Sequence, residues 1–196
     1  MYSSTPILHL AAFASTVLAH GNIISPPARV VGPAMDAACG KSVANLVRAD
    51  ITSHIEDMPE ALALEKDTDP AGCNVFLCRG QQFADNKANV QNYTAGQVVN
   101  MRAVLPIPHE GPMNVSIVDT ATNRVIGAPL ISFDSYADES LAELPANNTN
   151  FNVTVPSDMG TNCTEAGACV MQWFWFGTSA KQTYESCVDF MMTDAA

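Results

Sequence analysis

The feature that most restricts the fold is an alternation of apolar and polar residues with a period of two. It recurs in short segments of the second half of the chain. It runs through Val99–Leu105, Met113–Ile117 and Phe151–Val155, and such alternation is typical of half-buried β-strands. The segment Cys169–Phe176 is apolar on both faces and is predicted to be a central strand, and Tyr184–Phe190 is predicted to be the last strand. Short strands separated by turns predict an antiparallel β-sandwich.

The first third of the chain predicts less regular structure. Prolines and glycines in residues 20–39 indicate an extended arm with turns instead of a helix. Residues 41–64 have mixed helical character that is interrupted at Pro59, which predicts short surface helices. Residues 73–89 are expected to be irregular and held by a cystine.

An apolar run from Ile7 to Leu18 precedes Ala19-His20. Its length fits the h-region of a signal peptide, it is too short to span a bilayer, and it ends in small residues. We therefore expect residues 1–19 to be a signal peptide and residues 20–196 to be one secreted, extracellular domain. Because the chain ends soon after the last predicted strand, no appended module or membrane anchor is expected.

The chain carries a formal net charge of −11. Such acidity argues against nucleic acid or an anionic membrane as a partner, because both would repel it. A neutral polymer such as a polysaccharide is compatible with this charge.

Six cysteines in a secreted chain predict disulfide bonds. A zinc site made by the 73/78 and 163/169 pairs is the alternative, but neither pair has the close spacing of a zinc knuckle. Five Asn-x-Ser/Thr sequons agree with secretion and predict a glycoprotein. The acceptors are Asn92, Asn114, Asn147, Asn152 and Asn162.

Cleavage after Ala19 would make His20 the N-terminal residue. Its α-amine and imidazole Nδ1 could then close a chelate ring on one metal ion, and a second imidazole would complete three nitrogens suited to Cu(II). His109, in a proline-rich loop between two predicted strands, is the candidate for that imidazole, although a lone loop histidine is more often solvent-exposed. His54, in the polar helical segment, is expected at the surface and is the reserve ligand.

The segment Gln182-Thr-Tyr184-Glu-Ser-Cys187 supplies the third feature. In a β-strand Gln182 and Tyr184 would point to the same face. Tyr184 could be a core tyrosine only. Beside copper, the pair would give an axial shield and a hydrogen-bond donor around the metal.

Taken together, these residues resemble the fungal lytic polysaccharide monooxygenases, and specifically auxiliary activity family sixteen. The resemblance extends over HGNIISPPAR with AMDAACG, CNVFLCRGQQFADNKANVQ, NVSIVDTATNRVIGAPLISFD and QTYESCVDF. It implies an immunoglobulin/fibronectin-III-like antiparallel β-sandwich with long loops and short helices. It also implies one copper ion per chain, held by a histidine brace of His20 and His109, with Tyr184 axial and Gln182 facing the bound oxygen.

The activity implied by the resemblance is oxidative cleavage of β-1,4-glucan, with cellulose and C1 oxidation expected. An external electron donor and O2 or H2O2 are the co-substrates, and a monomer is expected. Tyr93 and Tyr136 are candidates for a substrate-binding aromatic, without positional support.

Six cysteines allow about 15 full pairings. We expect Cys163–Cys169 as a local bond before the central strand. The resemblance implies Cys39–Cys187, and Cys73–Cys78 is the pair that then remains.

Two alternatives to the enzyme stay open. One is a non-catalytic copper-binding protein of the same fold that handles copper at the cell surface. The Gln182/Tyr184 pair argues against it, because such relatives tend to carry a carboxylate in the axial position. The other is a metal-free carbohydrate-binding module.

Overall fold

The computed structural model describes residues 20–66, 68 and 72–193, which form two β-sheets with three attached α-helices. The predicted signal peptide, residues 1–19, lies outside the described residues. The strands are β1 (His20–Ser25), β2 (Gln91–Tyr93), β3 (Val98–Ile107), β4 (Gly111–Asp119), β5 (Arg124–Tyr136), β6 (Asn150–Thr154), β7 (Cys169–Gly177) and β8 (Gln182–Met192). The α-helices are α1 (Pro33–Ala49), α2 (Met58–Ala63) and α3 (Ala146–Thr149), and three 3-10 helices cover Cys78–Gly80, Phe83–Asp85 and Lys87–Asn89. Within these described ranges, every helix is too short or too polar to cross a membrane.

The two sheets have the strand orders β1-β3-β6 and β2-β8-β7-β4-β5. All neighbouring strands are antiparallel except the short β2, which pairs parallel to β8. The predicted immunoglobulin-like β-sandwich is therefore confirmed. All five strands predicted from the sequence are present, as β3, β4, β6, β7 and β8.

Trp173 and Trp175 lie at the centre of the core between the sheets. Both are fully buried, and their ring centroids are 5.9 Å apart. They belong to β7, which is flanked by β4 and β8, so the central position predicted for this strand is confirmed. Tyr136 packs edge-on against both rings. These rings fill the space between the two sheets. Truncating either tryptophan in such a core would cost roughly 3–5 kcal/mol of folding free energy.

Helix α1 corrects the expectation of an extended arm throughout residues 20–39. Pro33 occupies the first turn, where its missing N–H costs nothing. The Asp85 carboxylate accepts hydrogen bonds from the N–H groups of Ala34 and Met35, each at 2.9 Å. The helix start is thus stabilised by a residue of a 3-10 helix that is distant in the sequence, and the local sequence gives no sign of it.

Three strands, β1, β2 and β5, are absent from the prediction, and β2 has only three residues, too few to show an alternation. The prolines of the arm follow β1 instead of interrupting it, and antiparallel pairing with β3 keeps residues 20–25 extended. Strand β5 lies at the edge of its sheet and is exposed over most of its length. It therefore lacks the apolar alternation that marks a half-buried strand.

The disulfide bonds differ from the predicted set in two of three pairs. The bonds are Cys39–Cys73, Cys78–Cys187 and Cys163–Cys169. The local Cys163–Cys169 bond is as predicted, whereas Cys39–Cys187 and Cys73–Cys78 are wrong. Cys39 lies on α1, which packs on the loop that contains Cys73, while the 3-10 helix that begins at Cys78 packs on β8 and meets Cys187. Since no cysteine is free, the zinc alternative is wrong as well.

Four of the five sequon asparagines are exposed at the surface, and one is partly buried on β4. The exposed residues are Asn92, Asn147, Asn152 and Asn162. The fifth, Asn114, accepts a hydrogen bond at its Oδ1 from the Ser116 hydroxyl at 2.8 Å. Glycosylation remains a prediction for all five, and Asn114 is the least accessible acceptor.

Candidate metal site

Strand pairing brings the two predicted histidine ligands to one end of the sandwich. His20 is the first residue of β1 and pairs with Ile107, the last residue of β3. His109 follows two residues later, in the loop of residues 108–110 between β3 and β4. The antiparallel register therefore places His20 beside the loop that carries His109.

The ring of His20 is held by Asp50. Nε2 of His20 lies 2.7 Å from Oδ2 of Asp50, and Oδ1 of Asp50 accepts from the Thr52 N–H and hydroxyl at 2.8 and 2.5 Å. Burial raises the pKa of Asp50, but the hydrogen bonds from Thr52 outweigh it and the net pKa lies below the usual value. A carboxylate on Nε2 places the proton there, so Nδ1 of a neutral His20 carries the lone pair that a metal would need.

The backbone beside His20 is fixed by close packing. The Gly21 N–H donates to the carbonyl of Thr52 at 3.0 Å. A Cβ at Gly21 would lie only 2.9 Å from the Trp173 ring, 3.0 Å from the Trp175 ring and 3.1 Å from Leu105. Only glycine fits between these side chains, so the backbone at the start of β1 packs directly against core residues.

His109 is buried despite its position in a loop. Only 5% of its surface is exposed, so the expectation of a solvent-exposed loop histidine is wrong. Its Nδ1 donates to the carbonyl of Pro108, which leaves the lone pair of the neutral ring on Nε2. A Cβ at Gly177 would lie 3.2 Å from the Cβ of His109. The end of β7 therefore supports the histidine closely.

Gln182 and Tyr184 lie on the same face of β8, as predicted. The Tyr184 hydroxyl donates to Oε1 of Gln182 at 2.7 Å, and the Tyr184 ring stacks on Trp175 with 4.6 Å between centroids. Burial, together with the nearby Glu56 and Asp50 carboxylates, raises the pKa of the Tyr184 phenol. Because Gln182 pairs with Gly177, which supports His109, all four predicted site residues lie at this end of the sandwich.

His54 is not the surface residue that the sequence predicts. Its side chain is mostly buried, and its ring lies edge-on to Tyr184 with 6.4 Å between centroids. Nδ1 of His54 lies 3.2 Å from Glu56, and this contact raises the pKa of His54 against the opposite effect of burial. The Glu56 carboxylate also accepts from the Thr183 N–H at 2.9 and 3.0 Å. His54 thus belongs to the surroundings of the site.

The two tyrosines considered as substrate-binding aromatics are core residues. Tyr136 is 1% exposed and donates its hydroxyl to the carbonyl of Asn148 at 2.6 Å, and Tyr93 is 5% exposed. Both are therefore excluded as a binding platform. Asp50 and Thr52 are the site residues that sequence reasoning missed, since no pattern marks a carboxylate that meets His20 only in the fold.

The donor set would fit copper if the chain were cleaved after Ala19. In the uncleaved chain the backbone nitrogen of His20 is a peptide amide, and cleavage after Ala19 would turn it into an amine. That amine, Nδ1 of His20 and Nε2 of His109 give three nitrogens, a set suited to Cu(II). Within residues 20–66, 68 and 72–193, no three His, Cys, Asp or Glu side chains form a cluster able to hold a metal. The described side chains thus offer no competing site of that kind.

Comparison with known proteins matches residues 20–190 to the family model described as "Lytic polysaccharide mono-oxygenase, cellulose-degrading". Among solved structures, the chain is similar to a CBM33 protein of Bacillus amyloliquefaciens in complex with Cu(I), with 14% identity, 53% and 56% of the two chains covered, and a TM-score of 0.36. It is also similar to an AA10 lytic polysaccharide monooxygenase from Streptomyces lividans, with 14% identity, 52% and 58% covered, and a TM-score of 0.36. A third similar structure is an AA10 enzyme from Photorhabdus luminescens, with 14% identity, 90% and 100% covered, and a TM-score of 0.47.

The match to the first two of these structures spans less than two thirds of their length. No curated protein matches the chain. The family model, in contrast, begins at His20 and covers both histidines and the Gln182/Tyr184 pair. The chain therefore belongs to the family of lytic polysaccharide mono-oxygenases.

Proposed function

We propose that this chain is a secreted, copper-dependent polysaccharide monooxygenase that cleaves β-1,4-glucan oxidatively. The observation that carries the proposal is the pairing of β1 with β3, which puts His20 beside the loop that carries His109 while Asp50 contacts Nε2 of His20. Family membership supports the reaction class, and the family description supports cellulose as the substrate. C1 oxidation and placement in the fungal auxiliary activity family sixteen rest on the sequence stretches quoted above.

One copper ion per chain would be held by the α-amine and Nδ1 of His20 and by Nε2 of His109. Copper in this set would supply redox chemistry with an external electron donor and O2 or H2O2, and so allow oxidation of a sugar C–H bond. All three nitrogens must be deprotonated to bind. Copper affinity should therefore fall as pH decreases, and protons should be released on binding.

The protein's own residues would set the surroundings of the metal. The Tyr184 phenol is protonated, buried and hydrogen-bonded to Gln182, so it would act as a neutral shield beside the metal. Because Oε1 of Gln182 accepts from Tyr184, the amide presents its N–H donors to its other neighbours. Those donors would be suited to a hydrogen-bonding role beside the metal. Hydrolysis would instead require two carboxyl groups on either side of the glycosidic bond.

Processing is part of the proposal. Cleavage after Ala19 would release residues 20–196 as an extracellular, glycosylated domain that acts as a monomer. The beginning of the family match at His20 supports this cleavage site. If the cleavage leaves even one extra residue, the amine at His20 becomes an amide, which is a far poorer ligand.

The deciding experiment incubates the copper-loaded mature protein with cellulose and ascorbate and looks for aldonic acids by mass spectrometry. A second preparation with one extra glycine before His20 should bind copper weakly and release no oxidised product. His109→Ala should also lose both properties, and circular dichroism checks that the sandwich stays folded, because the His109 side chain is buried.

His54→Ala is the matched control, because it removes a mostly buried imidazole beside Tyr184 that the proposal does not use as a ligand. It should retain copper. The opposite pattern, with copper kept in His109→Ala and lost in His54→Ala, would assign the second ligand to His54. Normal cellulose binding by every variant, without oxidation by the wild type, would identify a carbohydrate-binding module. Tight copper without oxidation would identify a copper-handling protein.

A further inference from the structure

Arg79 is a cation enclosed by the protein, and both of its terminal nitrogens bond to one loop. The residue is 1% exposed. Its NH1 donates to the carbonyl of Ser53 at 3.0 Å and its NH2 donates to the carbonyl of Ile51 at 2.7 Å. Burial lowers the pKa of the guanidinium to about 10, so it is still charged at neutral pH. A buried charge is costly unless it is well paired, so this arrangement calls for an explanation.

The other side of the same loop holds His20. The Asp50 carboxylate contacts Nε2 of His20 at 2.7 Å, and the Thr52 carbonyl accepts from the Gly21 N–H at 3.0 Å. Residues 50 and 52 therefore contact the start of β1, while the carbonyls of residues 51 and 53 contact Arg79. We call residues 50–53 the bridging loop, because they connect the buried guanidinium to the N-terminal histidine.

Arg79 is itself firmly placed. It follows Cys78, which is bonded to Cys187 on β8, and its own N–H donates to Oε2 of Glu185 at 3.3 Å. Strand β8 also carries Tyr184 and Gln182. The disulfide bond and the Glu185 contact thus attach Arg79 to the strand that carries two of the candidate site residues. The orientation of a metal-bound histidine depends on the group that bonds to its second ring nitrogen. For His20 that group is Asp50, which lies in the bridging loop, and Arg79 bonds to two carbonyls of the same loop.

We propose that Arg79 is a positioning residue of the copper site: it fixes the bridging loop, and the loop fixes the ring and backbone of His20. This inference rests on the proposed function, because it concerns the same metal site. A merely structural role would make Arg79 important for folding alone. A positioning role also makes it important for the geometry and affinity of copper in protein that is fully folded.

The test compares Arg79→Met, Arg79→Lys and Asp50→Asn in the mature protein with the wild type. Three properties are measured: thermal unfolding without metal, Cu(II) affinity by calorimetry, and the Cu(II) electron paramagnetic resonance spectrum. Removing a partner of a metal-ligating histidine weakens metal binding by about 10–100-fold. We expect the Cu(II) affinity of Asp50→Asn and Arg79→Met to fall by that factor, with a changed copper hyperfine splitting. Both are measured at a temperature at which thermal unfolding shows the variant to be folded. Arg79→Lys should lie between Arg79→Met and the wild type, because an ammonium is a point donor and cannot form the fixed fork of Arg79.

The double variant Arg79→Met/Asp50→Asn tests whether both residues act through the same loop. Contacts in one network are not additive, so the double variant should bind copper little more weakly than the worse single variant. Arg48→Met is the matched control, since Arg48 bonds to Asp36 on the surface of α1 at 2.7 Å. It should leave the copper affinity and the spectrum unchanged.

The proposal is overturned if folded Arg79→Met keeps the wild-type copper affinity and spectrum. If no Arg79 variant folds, Asp50→Asn decides, because its side chain is partly exposed, and wild-type copper binding in that variant also overturns the proposal. A wild-type protein that binds no copper at His20 would instead refute the proposed function. The two failures are therefore distinguishable.

Discussion

Gly21→Ala should destabilise the fold and disturb the site together. The added Cβ would lie 2.9–3.1 Å from three core side chains, whereas ordinary contacts begin at 3.4 Å. Trp173 and Trp175 cannot easily move, because both are fully buried and Trp175 is also stacked on Tyr184. Overpacking of this kind typically costs about 1–3 kcal/mol. A domain of this size loses about 2–4 °C of Tm per kcal/mol, so a decrease of roughly 2–12 °C is expected.

The measurement is thermal unfolding of the metal-free mature protein, followed by circular dichroism. Ile24→Thr is the control on the same strand: Ile24 is 47% exposed, and surface changes usually stay within about 0.5 kcal/mol. Copper binding should also weaken in Gly21→Ala, because β1 can escape the clash only by shifting His20. A Tm equal to that of the wild type would show that the tryptophans do not pack on Gly21 as described. The argument from close packing would then be wrong.

Tyr184→Phe keeps the ring stacked on Trp175 and loses one hydrogen bond, worth about 0.5–1.5 kcal/mol; copper should still bind by calorimetry, while product yield falls only in part. Removing the Cys78–Cys187 bond by double substitution with serine should cost about 5 kcal/mol, because the cystine closes a loop with a sequence separation of 109; a loss below 1 kcal/mol in urea unfolding would contradict this estimate. Burial raises the pKa of Glu185 to about 7, so the metal-free protein should lose up to about 3 kcal/mol of stability as pH rises from about 4.5 to 7, since the unfolded chain then holds fewer protons. Glu185→Gln should flatten that slope, and an unchanged slope in the variant would place its origin elsewhere.

The parts of the fold that depend on local pattern could be predicted from the sequence. Strands β3 and β6 alternate because one face of each is buried, and β7 is apolar on both faces because it is central. Strand β5 could not be predicted, because it is exposed and its partner decides its conformation. The start of α1 could not be predicted either, because its capping carboxylate comes from Asp85.

The site shows the same division. His20, Gln182 and Tyr184 could be named as candidates because each lies in a short motif, and His109 could be named because it lies in a proline-rich loop between two predicted strands. The burial of His109 and the contact of Asp50 with His20 follow from the register of β1 on β3 and from the path of the bridging loop. The two wrong disulfide pairings have a related cause: the sequence does not predict the start of α1, where Cys39 lies, and so the neighbourhood of Cys39 was unknown. Pairing depends on which elements pack together, and cysteine spacing does not contain that information.

The burial of the cystines has a consequence for working conditions. An enzyme of the proposed kind must operate in the presence of electron donors, and small thiols among such donors cleave accessible disulfides by direct attack on sulfur. None of the six half-cystine residues is more than 4% exposed. The sulfur atoms that hold the scaffold are therefore shielded from small thiols in solution. The disulfide bonds should therefore stay intact in solutions that contain thiol electron donors.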